Sequence, residues 1–84
     1  MPIIARFYSI LIKMYYIEDE HNPPHIHAKY NEYEGIFNIA TSVMTRGNLP
    51  KNAKHLVEEF ISQHRERLLS MWENQDFEEL PFKE

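Results

Sequence analysis

The run His21-Asn22-Pro23-Pro24-His25-Ile26-His27 concentrates three of the chain's five histidines in seven residues. Imidazole changes charge near neutral pH, so such a cluster can exchange protons with a substrate or ligate a metal. His25 and His27 are two apart, and on an extended strand such positions share a face at roughly 6.6–6.8 Å. Rings so placed suit an acid–base pair acting on a phosphate or acyl substrate, with Lys29 or Arg65 holding the phosphate or oxyanion. They also suit a divalent metal, with His21, His25 and His27 as candidate ligands and Glu18, Asp19 or Glu20 to orient a ring or fill the set. An open metal site needs about three ligands and a closed one about four, and the spacing guarantees only two on one face. The third reading involves no chemistry: a polar strand face, or an interface that buries both imidazoles with hydrogen-bond partners.

The elements around the cluster follow from hydrophobic pattern. Phe7 to Ile17 reads FYSILIKMYYI, apolar on both parities, which predicts a strand covered on both sides. Pro23-Pro24 makes a stiff connector that gives His21 a defined direction, because proline fixes its own φ and restricts the residue before it. His25 to Tyr30 alternates cleanly, with Ile26, Ala28 and Tyr30 on one face and His25, His27 and Lys29 on the other. Asn31 to Gly35 reads as a turn, Ile36 to Thr41 as a third strand, and Val43 to Thr45 as a short fourth. A helix is predicted from Pro50 to about Gln75, since proline is tolerated in the first turn. Along it Ala53, Leu56, Val57, Phe60, Ile61, Leu68, Met71 and Trp72 fall within one arc. Its expected length, about 39 Å, exceeds the size of a globule whose radius of gyration should be near 12 Å. Either the helix bends or one end rests on something else, a second copy being the simplest candidate.

His64 projects into that apolar arc, where it reads as a core histidine with a satisfied ring. Parity keeps it from the strand histidines if Ile26 faces the helix. The five tyrosines are scattered over parities and read as core and rim packing. Trp72 closes the helical stripe as packing or as an interface anchor. Arg65 and Arg67, with Glu58, Glu59 and Glu66, form a solvated helix face. No phosphate-binding glycine loop, serine elbow or HExxH helix is present.

Composition narrows the class. Eighty-four residues make one domain with a thin core. The absence of cysteine excludes a disulfide framework and a thiolate zinc site. No apolar run reaches the ~20 residues of a membrane span and no signal peptide is evident, so a cytoplasmic protein is expected. Residues 1–72 carry eight basic and eight acidic side chains, and the net charge of −4 comes from residues 73–84. A generic nucleic-acid binder would carry a basic surplus, and residues 1–72 show none; a small basic stripe of Lys13, His25, His27 and Lys29 keeps the hydrolase or RNase reading open. The acidic terminus reads as a solvated tail.

With these residues in view, the sequence resembles domain of unknown function family 4160, a group of small prokaryotic proteins. The resemblance runs over nearly the whole chain. It rests on Pro2-x-Ile4, Phe7-Tyr8-x-Ile10-x-Ile12-Lys13-Met14-Tyr15, His21-Asn22-Pro23-Pro24-His25-Ile26-His27-Ala28-x-Tyr30, Gly47-x-Leu49-Pro50 and His64-Arg65-x-x-Leu68 with Trp72. It implies that the strand histidines are the signature site and His64-Arg65 a second element. It also implies a gene arrangement beside another small protein, similar to a toxin–antitoxin cassette.

The expectation is an α+β domain over residues 1–75, followed by an acidic tail, 76–84. A small antiparallel sheet of three to four strands packs on one long C-terminal helix, continuous or kinked near Ser62. The expected function is an interaction component of a paired, toxin–antitoxin-like system, with a homo-oligomer or a small protein as partner, no membrane, and RNA possible but not favoured. The alternatives are a histidine-dependent hydrolase or RNase with His25 and His27 as catalytic residues and His21, Lys29, His64 and Arg65 as binding residues, or a metal-binding protein.

Overall fold

The computed structural model describes residues 2–15 and 23–83. Five strands, β1 (Ile3–Phe7), β2 (Ile10–Lys13), β3 (His25–Tyr30), β4 (Tyr33–Asn38) and β5 (Met44–Asn48), precede one helix, α1 (Lys51–Asn74). They form an antiparallel meander in the order β1-β2-β3-β4-β5. The α+β class is as expected, with five strands rather than three to four.

The extra strand comes from the N-terminal segment. The expected strand from Phe7 to Ile17 is broken by a two-residue hairpin at Tyr8-Ser9, closed by the Phe7–Ile10 pair. Both turn residues have positive φ, 48° and 66°, the conformation that matches the twist of a tight hairpin. That turn normally carries Asn-Gly, and a bulky tyrosine rarely adopts it. The last two residues of the expected strand, Tyr16 and Ile17, lie outside the described residues. The β3–β4 turn is likewise two residues long, Asn31-Glu32, with Asn31 at φ 53°. β4 therefore starts at Tyr33, three residues earlier than predicted.

The strands' alternation builds the core. Ile10, Ile12, Ile26, Ala28 and Phe37 are buried on one side of the sheet, against Val57, Phe60, Ile61, Leu68, Met71 and Trp72 of α1. Seven of the eight residues assigned to the helix's apolar arc are buried, and Leu56 is half-buried. α1 begins after Pro50, and the Lys54 N–H donates to the Pro50 carbonyl. It ends at Gln75 in the left-handed conformation, whose N–H donates to the Met71 carbonyl. Inside it, His64 leaves helical geometry, at φ −127° and ψ 22°. The radius of gyration is 11.4 Å, in line with chain length.

The acidic terminus does not stand off in solvent. Phe77, Leu80 and Phe82 pack on the core, and the Phe82 ring stacks on Phe7 at 4.6 Å. The Leu80 N–H donates to the Ile4 carbonyl of edge strand β1 at 2.7 Å. Glu78 pairs with Arg67, and Glu79 lies 3.9 Å from Arg6. No helix among the described residues is long and apolar enough to cross a membrane.

Candidate functional site: the open face of the sheet

Strand register places the site. Residues directly opposite in an antiparallel ladder point to the same side. One row across the sheet is Ile3, Lys13, His27, Ile36 and Arg46; the next is Arg6, Leu11, Lys29, Glu34 and Asn48. His25, opposite Asn38, begins a third row on the same side. This side lies opposite the buried isoleucines, and its residues range from half-buried to exposed. Among the described residues, every lysine and arginine in the strands (Arg6, Lys13, Lys29 and Arg46) belongs to this side, with Glu34 as the only strand acid. The stripe of Lys13, His25, His27 and Lys29 expected from parity is therefore co-facial, and Arg46 extends it across β5.

The imidazoles sit among rings. His25 and His27 have centroids 5.4 Å apart, and the Tyr15 ring lies 4.4 Å from that of His27. His27 is only 12% exposed in its side chain, and its Nδ1 lies 3.6 Å from the Glu34 carboxylate. His25 donates from Nδ1 to the Pro23 carbonyl at 2.8 Å, so in its neutral form Nε2 is the basic nitrogen. Its ring also meets Trp72 at 4.9 Å, where the end of α1 reaches the start of β3. Chemically, the arrangement offers one imidazole oriented by a backbone carbonyl and a second beside a carboxylate, bordered by lysine and arginine heads.

The other expected site residues go elsewhere. His64 donates from Nε2 to the Pro81 carbonyl at 2.6 Å and packs on Phe60 at 5.0 Å. It is half-buried and satisfied, but by the C-terminal segment rather than within the core. Arg65 does not belong to a solvated face: its Nε donates to the Ile39 carbonyl at 3.0 Å and its Nη2 to the Ser42 hydroxyl. It staples α1 to the β4–β5 connection. His21, Glu18, Asp19 and Glu20 lie outside the described residues. Among the described residues no group of three or more histidine, cysteine or acidic side chains is arranged to hold a metal.

The matching family model is that of a domain of unknown function (DUF4160), over residues 9–73. The chain belongs to this family. No curated protein and no solved structure matches it. The matched region contains the whole histidine motif, β2 to β5 and nearly all of α1; β1 and the C-terminal segment lie outside it.

Sequence reasoning missed Tyr15, Glu34 and Arg46 as members of this surface. The signal for Glu34 was present: a two-residue turn after Tyr30 puts Glu34 opposite Lys29 and Ile36 opposite His27. Asn-Glu is a weak turn signal beside Asn-Gly, so the sequence alone suggests a longer turn, Asn31 to Gly35.

Proposed function

We propose that this DUF4160 protein is an interaction component of a paired, toxin–antitoxin-like system, and that it works by holding an anionic partner on the open face of its sheet. The observation that carries the reading is segregation of charge. The strand cations share one face with His25 and His27, whereas α1 balances Glu58, Glu59, Glu66 and Glu73 with Lys51, Lys54, Arg65 and Arg67, and the acidic excess lies on Asp76, Glu78 and Glu79 after it. The net charge of −4 therefore does not describe this face.

Heparin-column retention tests it. Neutralising the face with Lys13→Gln, Lys29→Gln and Arg46→Gln together should bring elution to much lower salt. The same charge removed elsewhere, by Lys51→Gln, Lys54→Gln and Lys83→Gln, should leave retention near that of the parent. Equal loss in both triples would end the reading.

A second reading is supported by the ring geometry itself: His25, basic at Nε2, and His27, beside Glu34, as an acid–base pair in a histidine-dependent RNase. Under it, His25→Ala and His27→Ala would each abolish cleavage of RNA; persistence of cleavage in either variant would remove that residue from the chemistry.

A further inference from the structure

We infer that the anionic partner is a single-stranded polynucleotide, lying across the strands with phosphates at Lys13, Lys29 and Arg46 and a base stacked at Tyr15. This rests on the reading above and names its ligand. An acidic peptide would ask the face for charge alone. The face also presents ring planes: Tyr15 lies against His27, tilted by 44°, and His25 lies beside that pair. Half-buried Leu11 and Ile36 lie between the cations in their rows, an apolar floor suited to bases. Cations for the backbone and aromatic planes for the bases are what single strands need from a sheet.

Geometry sets the length and disfavours a duplex. Lys13 and Arg46 belong to strands three apart in one row, roughly 14 Å at about 4.8 Å per strand, so the path accommodates several nucleotides. A broad five-stranded face enters neither groove of a duplex, whereas an unstacked strand can lie flat on it. The acidic excess after α1 does not cancel the field. The molecule's shortest dimension is 22 Å, against a screening length of about 8 Å at physiological salt. Arg6 is already beside Glu79 and is left out of the phosphate set. Glu34, next to Lys29 and His27, is a repulsive group on this face.

Fluorescence anisotropy on the full chain tests this, with 12-nucleotide single-stranded RNA and DNA and a 12-base-pair duplex as probes. The single strands, in either sugar, should bind at least about tenfold more tightly than the duplex. Three phosphate contacts predict a slope of about −2 in log Kobs against log salt, and each single glutamine substitution at Lys13, Lys29 or Arg46 should flatten it by about 0.7. Tyr15→Ala should weaken binding roughly 5- to 150-fold at an unchanged slope, and Tyr15→Phe should restore it, which separates stacking from a folding defect. Glu34→Gln should tighten binding. Duplex binding as tight as single-strand binding, or full affinity in Tyr15→Ala, overturns the inference. Heparin retention without oligonucleotide binding also overturns it while sparing the broader reading; loss of both ends both.

Discussion

The two faces of the sheet are made by the same strands in alternate residues, yet they follow opposite rules. The helix side of β2 to β4 holds Ile10, Ile12, Ile26, Ala28 and Phe37, all buried. The other side holds Lys13, His25, His27, Lys29, Glu34 and Ile36, none of them buried. Burial of a charge on the first side would cost several kcal/mol, so every strand cation is driven to the second. Packing on one face therefore concentrates charge on the other, in a chain whose residues 1–72 are neutral overall.

The largest test of this contrast is Phe37→Ala. Removing a fully buried ring should cost about 3–5 kcal/mol, enough to take much of a small domain's stability, and urea denaturation would measure it. A loss under 1 kcal/mol would mean the core is not where the structure puts it.

Next is Arg65→Ala. It leaves the Ile39 carbonyl and the Ser42 hydroxyl without their guanidinium donor, for an expected loss of about 1.5–3 kcal/mol. Heparin retention should hardly change, because Arg65 is a staple rather than part of the cationic face. Strong loss of retention with unchanged stability would move Arg65 into the site.

Gly47→Ala should cost about 1–3 kcal/mol from its left-handed backbone alone. Gly47 sits at φ 87°, and a Cβ there would meet the Glu34 carbonyl oxygen and the Gly35 backbone. A drop in melting temperature of about 4–8 °C per kcal/mol is expected. Since this substitution disturbs the β4–β5 pairing beneath Glu34 and Arg46, it should also blunt anion binding; a stable variant would show that the strand crossing has room.

The smallest effect belongs to Lys29→Ala. On an exposed face it should alter stability by no more than about 0.5 kcal/mol while lowering the salt needed to elute the protein from heparin. A marked stability loss would show that Lys29 is needed for the sheet itself and blur the division between the faces.

How legible each part was depended on whether local pattern sufficed. The alternation from His25 to Tyr30 and the 3.6-residue stripe from Ala53 to Trp72 are local, and both appear as read, because burial of one face imposes its period on the sequence. The hairpin at Tyr8-Ser9 was not legible: left-handed conformations at tyrosine and serine are imposed by the strands they join, without a glycine to announce them.

By itself the sequence determined the α+β class, the inward face of β3, the apolar stripe of α1 and the pairing of His25 with His27 on one side of a strand. These rest on i, i+2 and i, i+3/i+4 geometry, which needs no long-range information. Only tertiary structure decided that Arg46 joins Lys13 and Lys29, that Trp72 meets His25, that Arg65 is spent on Ile39 and Ser42, and that the acidic terminus binds β1 and His64. Each of these joins residues far apart in the chain. Strand register and the docking of the helix set such contacts, and the total energy of packing selects both, leaving no period in the sequence to read.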